Sequence, residues 1–543
     1  QTSVANLKDI TVLSGRTNEF TLTTSDTTAS AADLNAIKSL TTIAPNFGSI
    51  LTITASSAAD IKSLYTGTNT SLGNEIVNIN DSTLSASDLK SIDGSTSGSI
   101  VVTATKLTGL TADLENNFGN KGNTAGKIDG LAEVDIEVTD TIIQAAKLTS
   151  LDSETATAGK GMVIIASGSS VQGTVAEVKA VHDKTAAVAG TPTISGLSDK
   201  NIILTDTSLT PKSEFTVSEV NQVSGYTSGV LTATVKTTDL DTLKTITESG
   251  HNLNINVDKQ KDGTVKLNAQ ELRGVVDKLG SAGVLTVKAA VTDIDGTYSD
   301  VSSVVGSSKV TIQGDEKLGI SDSITVTEAN SLDTKTTGVV TATISDNDVT
   351  TLEGLRLNLD TDGVTVLTNA YTINVTDLSA DAAKLNTIDS KTTVDVTVSS
   401  GTITGTLAEV KKLYAASGAT KGFLGLGSET VTISDTALVA ADLKTVEAAT
   451  DKDVTVSAAT SISGTVADLE TVYGKNGANQ GIVGLGNETA TVTDADVDAA
   501  KLKTVADATT GVVGFAATAL EISGSKTEVE AVLTEAEKTS PGI

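Results

Sequence analysis

The stretch Ile462-Ser463-Gly464-Thr465-Val466-Ala467-Asp468-Leu469 decides the fold, because the chain writes it more than once. It stands earlier as Ile403-Thr404-Gly405-Thr406-Leu407-Ala408-Glu409-Val410 and later, more loosely, as Ile522-Ser523-Gly524-Ser525. This is form B. Between its copies lies form A, Val431-Thr432-Ile433-Ser434-Asp435 followed by Ala441-Asp442-Leu443, which recurs as Val492-Thr493-Asp494 with Leu502 and as Val375-Thr376-Asp377 with Leu385. Projected along the chain, form A falls near 26, 81, 140, 206, 264, 322, 377, 435 and 494, and form B near 56, 109, 173, 237, 296, 346, 405, 464 and 524. Each series covers 468 residues in eight steps, a mean period of 58.5. The positions 206, 237, 264 and 346 rest partly on spacing. A single continuous array of nine A+B pairs, or eighteen half-units, is therefore expected over residues 1–543.

Each half-unit has one grammar. Asp453-Val454-Thr455-Val456-Ser457 alternates apolar and polar residues, the period of a strand. Val466, Leu469 and Val472 then lie on one face of a short helix, and Gly-rich text such as Gly484-Leu485-Gly486 turns the chain. Equal strand–helix units stack with parallel strands and right-handed crossovers. The expected fold is an α/β solenoid, elongated and curved. Rungs ~4.8 Å apart must carry helices that need ~8–10 Å, which calls for curvature or for A and B helices staggered into separate layers.

Composition narrows the function. With 67 acidic against 38 basic residues, the net charge is -29, which disfavours nucleic acid and anionic membranes. No apolar run reaches the ~20 residues of a membrane span. The absence of Cys removes thiol chemistry, and six Tyr, six Phe and no Trp leave little for a sugar-stacking platform. The chain opens at Gln1 without a signal peptide, as a processed chain or a segment of a longer one does.

The acids fall into two groups. Hydroxyl residues stand three before a carboxylate at Ser30/Asp33, Ser85/Asp88, Thr174/Glu177, Thr297/Asp300, Thr406/Glu409, Thr465/Asp468 and Ser525/Glu528, the spacing of a helix capping box. The form-A row Asp26, Asp81, Asp140, Asp206, Asp322, Asp377, Asp435 and Asp494 follows the strand. It is expected to make Asx turns, with a ladder of partial calcium sites as the functional reading. Asp360 and Asp362, in Asn358-Leu359-Asp360-Thr361-Asp362-Gly363, resemble the start of an EF-hand loop, although its twelfth position is Asn369 instead of Glu. Asp293-Ile294-Asp295-Gly296 is a second such text, but its Gly is the repeat's own. Calcium is the one cofactor these residues raise, and none is required. His182 and His251 stand outside any zinc spacing, and no catalytic constellation is visible, so an enzyme is not expected.

The texts Val431–Asp435 with Ala441–Val446 and Ile462–Leu469 resemble repeats of very large secreted cell-surface proteins of cyanobacteria. That resemblance covers nearly the whole chain. It implies an extracellular, cell-surface location and a part in a surface layer, filament or adhesion. The expected function is a structural surface protein that assembles with copies of itself. The alternatives are an adhesin stalk or fibre holding a glycan or cell-surface polysaccharide, and, behind it, a polysaccharide-acting enzyme. No divergent cap marks either end, so the chain is expected to continue or its ends to be covered by neighbours.

Overall fold

The computed structural model describes residues 1–11, 18–67, 71–122, 127–155, 161–185, 193–206, 214–359, 366–367, 369–418, 420–477, 479–516 and 521–536. Its contacts divide the chain into two units, Gln1–Val257 with Val275–Thr286, and Asp258–Gly274 with Val287–Ile543. In both, short parallel strands alternate with short helices, the repeating α/β architecture expected. Among the described residues every one of the eighteen half-units carries a helix, including those placed by spacing at 206, 237, 264 and 346. A nineteenth helix, Val4–Lys8, precedes them. Its text Ser3-Val4-Ala5-Asn6-Leu7 matches Thr465-Val466-Ala467-Asp468-Leu469, so it is a further B-type helix.

The segment read as one strand over 453–457 is shorter, Val454–Thr455, and the signature Ser461–Gly464 is itself a second strand placed just before its helix. Within the helix Val466–Gly474, Val466, Leu469 and Val472 are buried as their spacing requires, joined by Tyr473. Ile462 faces this layer, while Ser461 and Ser463 turn to the other side. Among the described residues one antiparallel pair departs from the rule, Asn358–Leu359 with Val366–Leu367.

The strand order solves the spacing problem in a way not anticipated. In the second unit, Ala437–Val439 pairs with Ser461–Gly464, that strand with Thr489–Val492, and that in turn with Val513–Phe515. Ala437 lies three residues ahead of its helix at Ala440, its partner Ser461 five ahead of Val466, and the next partner, Thr489, ten ahead of Ala499. The same three, five and ten recur at Ser379, Thr402 and Thr430, and in the first unit at Thr83, Lys106 and Asp135. The register thus slips seven residues over two rungs, up to ~23 Å of extended chain. That slip spreads successive helices along the strand direction, which lets neighbouring helices such as Ala440–Glu447 and Val466–Gly474 pack side by side although the rungs are close. Helix–helix packing runs between consecutive half-units from Val4–Lys8 to Val217–Ser224 and again from Val349–Leu352 to Lys526–Ala536.

The Gly of form B and the Ala that opens form-A helices explain each other. A Cβ on Gly464 would meet Ala440 Cβ at 2.7 Å, one on Gly109 Ala86 Cβ at 2.6 Å, and one on Gly173 Ala145 Cβ at 2.9 Å. Gly296 faces Ala269, Gly405 Ala382 and Gly524 Ala499 in the same way. Each strand end is pressed onto the first turn of the preceding helix, leaving room for one methyl group. In the first pair the place is taken by Ser56, whose Oγ accepts the Ala31 N–H at 2.9 Å.

Gly464→Ala is expected to cost ~1–3 kcal/mol by overpacking. Adding Ala440→Gly should return part of it, less the ~0.5–1 kcal/mol that Gly costs a helix. A double-mutant cycle by thermal or denaturant unfolding measures both, and independent effects would refute the contact.

Candidate functional site

The form-A aspartates do not turn back on their own strand. Each reaches to the preceding half-unit and accepts the N–H of the first residue of its helix. Val4 donates to Asp26 Oδ2 at 2.6 Å, Ala58 to Asp81 at 2.6 Å, Thr111 to Asp140 at 2.7 Å and Tyr298 to Asp322 Oδ1 at 2.8 Å. Val349 donates to Asp377 at 2.6 Å, Leu407 to Asp435 at 2.6 Å and Val466 to Asp494 at 2.5 Å. Asp346 takes the same part for Val326 at 2.6 Å. Asp206 is exposed and makes no such bond among the described residues. These are charge-assisted bonds at the positive end of a helix, made across 20 to 29 residues. The expected Asx turn is replaced by a joint between half-units, because the register slip brings the turn of one half-unit over the helix start of the one before.

The capping residues behave as their spacing requires. All seven expected hydroxyls accept the N–H of the third helical residue, at 3.1–3.4 Å. Where that residue is Glu, its carboxylate can return to the cap's own N–H, as Glu177 does to Thr174 at 2.8 Å and Glu528 to Ser525 at 2.7 Å. Asp is one carbon shorter and takes the hydroxyl instead, as in Thr297/Asp300 and Thr465/Asp468. Several of these acids also meet a base on the preceding helix, among them Asp468 with Lys444 at 3.0 Å and Asp300 with Arg273 at 3.0 Å. The Lys444 ammonium, then the Thr465 hydroxyl, hold the Asp468 carboxyl below its usual range. Its contribution to stability is therefore present above about pH 4 and is lost on acidification.

A third set escaped notice in the sequence. Glu75, Glu429 and Glu488 are 1%, 2% and 0% exposed. Each accepts the hydroxyl of a tyrosine closing the previous B helix, Tyr65, Tyr414 and Tyr473 respectively. Each also takes the two amides just ahead of it: Gly486 and Asn487 donate to Glu488 at 2.8 and 3.1 Å, Gly427 and Ser428 to Glu429 at 2.9 Å. A threonine from the next half-unit, Thr96, Thr450 or Thr509, donates to the glutamate's own carbonyl. The signal was available, since Gly-x-Glu follows each of these tyrosines. Where the helix ends in Phe118, the equivalent acid is the apolar Val134.

Asp360 and Asp362 lie outside the described residues. Asp293 accepts the Thr292 hydroxyl at 2.6 Å, and Asp295 pairs with Lys266. With Lys317 and Gly319 they line an open cleft of about 310 Å³, a cross-strand set of alternating charge. Among the described residues no three His, Asp or Glu side chains gather as a metal site. His182 stacks on Tyr226 with ring centroids 4.0 Å apart. His251 is buried, its Nδ1 accepting the Leu231 N–H at 3.1 Å, and burial lowers its pKa. Among the described residues no helix is long and apolar enough to cross a membrane.

The fold and its joints define an α/β repeat protein. No family model matches the chain, and no curated protein is similar to it.

Asp494→Ala should destabilise the protein by ~0.5–2 kcal/mol, the worth of a helix cap. Hydrogen exchange should then accelerate first at the Val466 amide, and unchanged exchange there would refute the joint. Burial, reinforced by Glu429 and Glu488, pushes the Tyr414 and Tyr473 hydroxyls well above their usual value. Raised in the folded state, they favour it until unfolded tyrosine ionises near ~10, and stability falls as pH rises beyond that. The double variant Tyr414→Phe, Tyr473→Phe should be less stable at pH 7 by ~1–3 kcal/mol per buried acceptor left short of a donor. It should also lose less on going from pH 9 to 11, as urea unfolding at both values will show.

Proposed function

We propose that this is a structural protein of an extracellular surface, which assembles with copies of itself into a layer or filament and has no catalytic role. The observation that carries the reading is the use of the conspicuous carboxylates. Asp26, Asp81, Asp140, Asp322, Asp377, Asp435 and Asp494 all join one half-unit to the next. A scaffold is favoured when its most repeated polar group serves its own continuity. The acid excess keeps such a scaffold soluble, and the resemblance to large secreted surface proteins points the same way. The charged cleft around Lys266, Asp293, Asp295 and Lys317 favours a second reading, an adhesin stalk holding a glycan or cell-surface polysaccharide.

Electron microscopy of the purified protein, with and without calcium, is expected to show ordered sheets or filaments. Single particles of one size under every condition would overturn the assembly reading. Specific retention on a glycan array, lost in the double variant Lys266→Ala, Lys317→Ala, would support the second reading.

A further inference from the structure

Rungs of this fold are commonly tied by an amide at the start of one strand and a backbone carbonyl of the next. Ile202 donates to the Val230 carbonyl at 3.0 Å, Val431 to Asp453 at 2.9 Å and Val454 to Gly481 at 2.8 Å. At Val340 and Leu231 a side chain takes the carbonyl's place. Val340 donates to Asn369 Oδ1 at 2.8 Å, and Leu231 to His251 Nδ1 at 3.1 Å. The two joints are built alike but finished differently. Asn369 is buried, and its Nδ2 donates to Asp333 Oδ1 at 2.8 Å and to the Tyr371 hydroxyl at 3.0 Å. Asp333 ends the helix Val326–Asp333; the same place in the helix Val217–Ser224 is held by Ser224, whose hydroxyl donates to the Asn221 carbonyl at 3.0 Å. His251 is 5% exposed, and its buried Nε2 has no hydrogen-bond partner among the described residues.

Since Nδ1 accepts, the ring proton sits on Nε2 and the imidazole is neutral. A second proton has no good place. It goes to Nδ1, which turns the acceptor of the Leu231 amide into a second donor facing it, and it sets a charge among strands whose Leu231, Leu253 and Leu279 are buried. The joint lies inside a sheet, because Leu231–Val235 runs between Asn201–Leu204 and Asn252–Val257, and His251 bridges onward to Leu279. The nearby charged groups do little to ease the burden. Asp199 and Lys200, ahead of the neighbouring strand, pair with each other at 2.9 Å, while Lys236 and Asp258 follow the far ends of the two strands. Glu219 stands at the opposite end of the helix Val217–Ser224, closing onto Thr216. Beside Leu279 lie Asp277 and Lys278, the latter donating to the Lys244 carbonyl at 3.0 Å. Of the charged groups, Glu248 acts on the ring and favours its charged form, but burial outweighs it and holds the pKa below the ordinary histidine value. The neutral ring therefore contributes stability above about pH 6.5 that is lost as the pH falls toward the folded value.

We propose that His251 makes this joint an acid-sensitive opening: protonation of its ring releases the Leu231 amide and parts Leu231–Val235 from Asn252–Val257 at their N-terminal ends, while the Asn369 joint stays closed. An amide side chain and a backbone carbonyl do not titrate in this range, so the response is confined to the one rung that uses an imidazole. The opening holds whether or not the chain assembles with copies of itself.

The test is hydrogen exchange of the full chain. Protection of the Leu231 amide, corrected for intrinsic exchange at each pH, is expected to fall at least tenfold between pH 7.5 and 5.0, while that of Val340 changes less than twofold. His251→Asn, which copies the other joint, should keep the protection seen at pH 7.5 and lose the fall. His182→Gln should leave the fall as it is in the unaltered chain. A second measurement, the ring nitrogen shifts of His251 in the unaltered chain, should show the proton on Nε2 at pH 7.5 and a titration whose midpoint matches the loss of protection at Leu231. A ring protonated on Nδ1 at pH 7.5, a titration of His251 that leaves Leu231 protected, or the same fall in His251→Asn would overturn the proposal. If that variant does not fold, the ring titration and the Leu231 exchange of the unaltered chain decide between the outcomes.

Discussion

Strands of a sheet lie ~4.8 Å apart and helices packed side by side need about twice that, so a chain that gives each rung one helix carries a geometric conflict. Here the conflict is relieved by slip. Where the offsets three, five and ten recur, a pair of rungs advances the register by seven residues, so the strands form a diagonal series that begins beside one helix and ends well ahead of another. Many other features follow. Strands must be short, since each serves a sheet only while the register keeps it in reach. More than one strand per half-unit is needed, so that the chain can leave one sheet and enter the next; the half-unit ending in helix Val466–Gly474 has two and the one ending in Ala499–Ala508 has three. The close approach of strand end to helix start selects Gly464 and Ala440 and their five counterparts.

The slip also explains where the carboxylates go. An aspartate at the turn between two strands is carried over the start of the preceding helix, where unpaired N–H groups and the helix dipole await an acceptor. A buried carboxylate is costly without donors, and Glu488, Glu429 and Glu75 each have a tyrosine hydroxyl and two backbone amides. Much of the acidity that dominates the composition is therefore structural. A net charge of -29 describes the solvent-facing remainder poorly as a map of function, because so many of its members already have partners inside the fold.

Such joints make half-units interchangeable in kind but not in order. Seven B helices are finished by the aspartate of an A half-unit, and six A helices are met by the Gly-ended strand of a B half-unit, while the A helix at Val326 takes Asp346 of a B half-unit instead. Alternation is thus favoured by two different contacts, one electrostatic and one steric. Proteins built to extend over distance benefit from that arrangement, since each addition is specified by its neighbour alone.

The text of the repeat was enough to set the strand–helix alternation and the capping pairs, because these are encoded within a few residues of one another. Val466, Leu469 and Val472 announce their helix by spacing, and Thr465 with Asp468 its start. The first helix, Val4–Lys8, was missed because the strand text was used to find each half-unit, and Ser3-Val4-Ala5-Asn6-Leu7 matches only the helical part of form B. What the residues could not show is which half-unit a side chain serves. Asp494 looks local and acts 28 residues away on Val466; Glu488 looks like part of a glycine turn and holds Tyr473. Those partners are chosen by the register slip, and the slip arises from the competing spacings of sheet and helix, a property of the packed layers that no single half-unit possesses.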